Sequence, residues 1–256
     1  MSMKMMVASL AAMTALGVAG AANADTFSVT IENPGVQNST AGFSSSGVET
    51  FNLRSTGSNK TFSTDFGTSG VINGTYSGVD ILAADQYGGA GGNTNFASTA
   101  STAGYSLSLT TSDPAGINYF GFWLSALDSG NTLTFSRAGT TVFTFSPADV
   151  LALVNGLPAY FGNPTAAFSG QNSAQPYVFL NFFDTTGTFD KVVFSENPTV
   201  GGYESDNHTV GFFTRQSGTP VPGVPEPASW ALMIAGFALV GSAMRRTRTT
   251  AAYTPA

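Results

Sequence analysis

The stretch Thr132-Leu133-Thr134-Phe135-Ser136-Arg137-Ala138-Gly139-Thr140-Thr141-Val142-Phe143-Thr144-Phe145 decides the fold. On either side of Arg137-Ala138-Gly139-Thr140, apolar side chains alternate with Thr or Ser, and a period of two puts every second side chain on one face of a strand. The pattern predicts a β-hairpin with Leu133, Phe135 and Phe145 turned toward a core. Val142 or Phe143 joins them, depending on whether a bulge near the loop shifts the register by one residue. The segment 147–155 then reads as a helix: Ser146 is placed to cap it, Pro147 suits its first position, Asp149 complements the dipole, and Asn155-Gly156 stops it.

Runs of the same texture, set between turns rich in Gly, Asn and Ser, recur at 26–31, 49–54, 76–82, 105–110, 118–127, 132–137, 140–146, 177–183, 189–195 and 208–215. Ten strand candidates with one short helix predict an all-β domain, a two-sheet β-sandwich of jelly-roll type, over 25–218. Only 9% of the residues are charged while Phe occurs 21 times, too many aromatics for a disordered chain. Between residues 25 and 218 fourteen acidic residues face five basic ones, a net charge of −9 with His208 neutral. Such a surface repels phosphate backbones, so nucleic acid is not an expected partner. The chain has no cysteine, which excludes disulfides, thiolate metal sites and cysteine nucleophiles.

Both ends differ from this domain. Residues 1–24 have the form of a secretory signal peptide, with Lys4 ahead of an apolar run, and Ala22-Asn23-Ala24 fits the small-x-small rule for cleavage before Asp25. Residues 219–227 form a proline-rich linker. An apolar stretch without a charge follows from 228, closing on Arg245-Arg246-Thr247-Arg248, and 249–256 is a polar tail. As a helix the apolar stretch is about 26 Å long, short for a bilayer of about 30 Å. Trp230 at the interface and snorkelling arginines extend its reach, and the basic cluster orients it with the arginines in the cytoplasm.

The order Pro225-Glu226-Pro227, Trp230-Ala231, apolar helix and basic cluster resembles the PEP-CTERM sorting domain in its variant with Trp-Ala after the motif. The resemblance covers 224–248. It implies recognition of Pro225, Glu226, Pro227, Trp230, Arg245, Arg246 and Arg248 by an exosortase, an integral membrane enzyme of Gram-negative bacteria that make exopolysaccharide. It further implies an inner-membrane precursor, processed by signal peptidase and exosortase and destined for the cell surface or extracellular matrix. The segments 119–135, 189–194 and 203–208 resemble exported domains found in front of such tags, whose terminal motif is commonly an aromatic or Phe-Glu followed by Asp-Asn.

Residues with possible chemistry of their own are few. His208 is the only histidine, and no Gly-x-Ser-x-Gly elbow accompanies it, so it reads as structural and the protein as no enzyme. Oxygen ligands for calcium are available in the glycine-rich loop 80–95, from Asp80 and Asp85, with Asp206 and Asn207 to complete a site. Tyr87 and Tyr203, beside Gly and Asp, are the candidates for contact with sugar, whereas Trp123 lies in an apolar strand and reads as core. The primary expectation is therefore a surface or matrix protein associated with exopolysaccharide. The alternatives are a calcium-supported carbohydrate-binding module and, third, a secreted glycoside hydrolase.

Overall fold

The computed structural model describes residues 25–92, 94–100, 103–125, 127, 130–197, 201–222 and Phe237. In chain order the elements are β1 Phe27–Ile31, β2 Gly42–Glu49, β3 Gly57–Thr64, β4 Ile72–Leu82, β5 Phe96–Ser98, β6 Gly104–Thr111, β7 Tyr119–Ser125, β8 Asn131–Arg137, β9 Thr140–Phe145, α1 Ala148–Val154, β10 Val178–Asp184, β11 Lys191–Glu196, β12 Glu204–Arg215 and β13 Thr219–Pro220. Three short 3₁₀ turns, Ala90–Gly92, Pro158–Tyr160 and Ala166–Phe168, punctuate the loops.

Every strand pair is antiparallel, and the strands form one hydrogen-bonded path, β13-β1-β10-β7-β12-β5-β4-β6-β11-β8-β9, from which β2 branches at β12 and β3 at β4. Short β5 is the joint, with Ala97 paired to Ser205 of β12 and to Ile81 of β4. It connects two limbs, β13-β1-β10-β7-β12-β2 and β3-β4-β6-β11-β8-β9. The sheet curls at this joint until the limbs face each other, and aromatic rings meet between them. Phe27 of β1 stacks on Phe143 of β9 at 4.4 Å, Phe182 of β10 meets Phe135 of β8 at 5.3 Å, and Phe122 of β7 meets Phe194 of β11 at 5.2 Å. These rings are all buried, and burying a large side chain is worth roughly 1.5–3 kcal/mol each. They form the dominant core.

The expected hairpin is present as β8 and β9. Arg137 pairs with Thr140 around a two-residue loop, with Ala138 at φ 49° and Gly139 at φ 80°, the two positive values of a type I′ turn. A bulge falls between Phe135 and Ser136, so Val142 and Phe143 are both buried while Thr144 is exposed.

Other local expectations change. The expected strand 49–54 is instead the end of β2 at Glu49 followed by a turn over 50–54, because the Glu49 carboxylate accepts the Phe51 N–H at 2.9 Å and pairs with Arg54, holding Phe51 at φ 55°. Phe51 is buried there and Leu53 lies almost fully exposed. Strands β2 and β3 arise from Ser-, Gly- and Thr-rich sequence with few apolar residues, so alternation does not reveal them, and β5, Phe96-Ala97-Ser98, is buried throughout and too short to show a period. The helix is α1, but Pro147 occupies its N-cap position and no side chain caps it, so Ser146 does not serve as predicted.

Trp123 is buried as expected, yet in a second cluster with Ala90, Tyr177 and Phe179. Trp123 and Phe179 are cross-strand partners on β7 and β10. The loop carrying Ala90 and the segment ahead of β10 bring Ala90 and Tyr177 onto them, closing a small apolar layer apart from the main core.

Candidate functional site

At the middle of β12 the backbone turns through Asn207, a left-handed residue at φ 49°, and the pairing with β7 slips between Asp206 and Thr209. The residues around this irregularity serve different layers. The Ser205 hydroxyl is hydrogen-bonded to the Tyr105 hydroxyl at 2.7 Å, and His208 lies among core rings. Asp206 instead accepts hydrogen bonds from the Ala90 N–H at 2.7 Å, the Thr94 hydroxyl at 3.2 Å and the Asn207 N–H at 2.7 Å. The Asn207 amide donates to the Gln37 carbonyl and to Asn38 Oδ1, and the Gln37 side chain accepts the Gly91 N–H. Loops from opposite parts of the sequence are thus pinned to two adjacent residues of one strand. Burial pushes the Asp206 carboxyl up to about 7, against the opposing pull of its three hydrogen bonds.

The other expected calcium ligands are engaged elsewhere. Asp85 Oδ1 accepts the N–H groups of Tyr87 and Gly88, an Asx turn that shapes the loop, and Asp80 Oδ1 accepts the Asn59 N–H at 2.7 Å. Each carboxylate is used to satisfy backbone donors, and among the described residues no group of three or more His, Asp or Glu side chains gathers to hold a metal. Of the two tyrosines read as sugar platforms, Tyr87 is 43% exposed at the tip of that loop. Tyr203 is fully buried, its ring 5.1 Å from Phe194 and 6.0 Å from Phe122, so it presents no face to a sugar. Its place beside Gly and Asp in the sequence predicts exposure. The curl of the sheet over β12 encloses it instead.

His208 is fully buried. Tyr76 Oη lies 2.9 Å from Nδ1, Phe194 stacks on the ring at 5.2 Å, and Phe51 meets it edge-on at 4.9 Å. Nε2 has no hydrogen-bond partner among the described residues. Burial lowers its pKa to about 3, so the ring is neutral at ordinary pH and packs as part of the core.

No family model, no curated protein and no solved structure matches this chain.

At the start of β1 a further polar site forms that sequence reading did not assemble. Asp25 is buried, and its carboxylate makes a bidentate pair with Arg137, at 2.6 and 3.0 Å, reaching from the end of β8. Asp184 of β10, paired across the sheet with Phe27, is only 1% exposed. Its Oδ1 accepts the Thr186 and Gly187 N–H groups, while Oδ2 has no hydrogen-bond donor among the described residues. A side chain at Gly187 would collide with both the Asp25 carboxylate and the Arg137 guanidinium, so glycine lets the three groups converge. Burial, and then the adjoining Asp25 carboxyl, push Asp184 up to about 6. Two carboxyls in contact can hydrogen-bond to each other only by sharing a proton, so the Asp25–Asp184 contact leaves Oδ2 without a donor whenever both are ionised.

Ala22, Ala24, Pro225, Glu226, Pro227, Trp230, Arg245, Arg246 and Arg248 lie outside the described residues. No helix among the described residues is long and apolar enough to cross a membrane. What the fold does define is where the domain's two ends lie. Ile31 pairs with Thr219, Thr30 with Pro220, and the Val221 N–H donates to the Val29 carbonyl at 2.9 Å. The departing chain therefore runs back along β1 toward Asp25, and Val221 is buried against the core.

Proposed function

We propose that this chain is an exported, non-enzymatic surface or extracellular-matrix protein of a Gram-negative bacterium, sorted by an exosortase-like system and retained in or near exopolysaccharide. The two facing limbs act as a sandwich of jelly-roll type, a rigid body with a processing segment at each end. Signal peptidase cuts before Asp25. The apolar stretch from 228 and its arginines hold the precursor in the inner membrane, with Pro225-Glu226-Pro227 just outside it. The observation that carries this reading is the antiparallel pairing of β1 with β13. Chain entry and chain exit lie at one end of the domain, so both apolar segments can enter one membrane without passing around the body.

Intact-mass measurement of the protein recovered from the native cell surface tests the sorting. The expected species begins at Asp25 and lacks the segment from about Trp230 onward, and replacing Glu226 or the arginine cluster leaves uncut precursor in the membrane. A surface species that still carries residues 230–248 would mean a plain anchor. The second reading, a carbohydrate-binding module, has exposed Tyr87 in its favour. A glycan array separates the two, because a module gives a hit that Tyr87→Ala abolishes.

A further inference from the structure

The site at the start of β1 holds two buried carboxyls, Asp25 and Asp184, against one guanidinium, Arg137. Asp190, which also acts on Arg137, accepts the Ala138 N–H and adds no cation. A buried carboxylate oxygen without a donor is costly, by about 1–3 kcal/mol or more, and native folds seldom leave one. A small cationic donor suits this place: Asp184 Oδ1 already takes two backbone N–H groups, the Arg137 fork is spent on Asp25 and on the Thr188 carbonyl, and a cation would offset the second carboxylate.

We propose that the missing partner is the α-ammonium of Asp25 itself, created when the signal peptide is removed. Resting on the cleavage reading above, the site is a receptor for the protein's own mature amino terminus. Hydrolysis of the Ala24–Asp25 bond sends the hydroxyl of water to the Ala24 carbonyl carbon and its proton to the residue-25 nitrogen. A second proton from solvent then makes that nitrogen a three-donor cation. It is covalently fixed beside the carboxylate that touches Asp184, and it balances the site at two carboxylates against two cations. In the uncut chain the same nitrogen is a neutral amide with a single N–H, and Asp184 is relieved only by holding a proton. Processing thus completes a polar cluster that ties β1 to β8 and β10, and the cut domain is more stable than the uncut one.

The test uses the mature protein as the cell makes it. An amine-reactive reagent is applied over a pH series, and the modified N-terminal peptide is followed by mass. In the folded protein the midpoint of the labelling profile is expected about one unit above the ordinary α-amino value, equivalent to roughly tenfold slower labelling at pH 7. In urea, and in folded Asp184→Asn, it should return to the ordinary range of about 7.7–8.0. Steric shielding would lower the rate at every pH without moving the midpoint, and desolvation would move it down, so an upward shift separates the ion pair from both. If Asp184→Asn does not fold, the folded and urea profiles of the unaltered protein decide the matter. A protein that begins at Asp25 with an ordinary midpoint overturns the receptor site and leaves the processing reading standing. A mature protein that begins at another residue overturns both.

Discussion

Asp206 and His208 stand two positions apart on β12 and respond to protons in opposite senses. His208 is held neutral, its pKa lowered by burial from 6.5 to about 3, so unfolding takes up a proton between those values. Its contribution to stability rises with pH across that window and is complete above about pH 6.5. Asp206 is raised by burial from 3.8 to about 7, so unfolding releases a proton in that window, and its contribution is fully present below about pH 4 and lost as pH climbs through 7. Each slope is about 1.4 kcal/mol per pH unit, and between pH 4 and 6.5 they cancel. The raised Asp184 carboxyl adds a falling contribution between about pH 4 and 6, so the effects are read as differences from the unaltered protein: over this interval Asp206→Asn should gain stability relative to it as pH rises and His208→Phe should lose it, both measured from urea midpoints. Parallel profiles for the unaltered protein and both variants would show that neither group is shifted. His208→Phe also deprives the Tyr76 hydroxyl of its partner, a loss of about 1–3 kcal/mol at every pH.

Among the elements, the β8–β9 hairpin was the most legible, because register and turn are both local properties. Its turn also holds the clearest local conflict. Ala138 is forced to φ 49°, a region that costs a residue with a Cβ roughly 1–2 kcal/mol and that Asn tolerates better. Ala138→Asn would give the Asn-Gly pair favoured in type I′ turns and keeps the N–H that Asp190 accepts. The expected gain is about 0.5–1 kcal/mol, a rise in melting temperature of about 1–4 °C for a domain of this size, measurable by calorimetry. No change would mean that the turn is not strained. Strands β2 and β3 were illegible for the converse reason. They pair along the edges of β12 and β4 through backbone groups, leave many side chains exposed, and so need no apolar alternation. The turn at 50–54 was misread because Phe51 and Leu53 sit at strand-like spacing, while the signal that bends the chain is a carboxylate two residues back.

For the molecule as a whole, the carboxylates expected to bind calcium are distributed to hold loops, and this carries a thermodynamic consequence. With Asp80, Asp85 and Asp206 engaged by backbone N–H groups, melting temperature should be the same in chelator and in millimolar calcium. A rise that grows with free calcium would reveal a site formed by rearranging those loops. Local pattern by itself determined that the described part of the domain 25–218 is β-rich with one short α-helix, where its clearest hairpin turns, that Trp123 is buried, and which carboxylates and aromatics were available. Those properties depend on side-chain period and turn chemistry within a few residues. Only the tertiary structure decided that the sheet is one continuous path curled at β5, that Tyr203 and His208 lie inside while Tyr87 stays out, and that Asp25, Arg137 and Asp184 meet. Asp25 and Arg137 are 112 positions apart, and nothing in the residues near either one encodes the other. Their meeting follows from how the limbs close over a shared apolar core, a free-energy minimum of the whole chain.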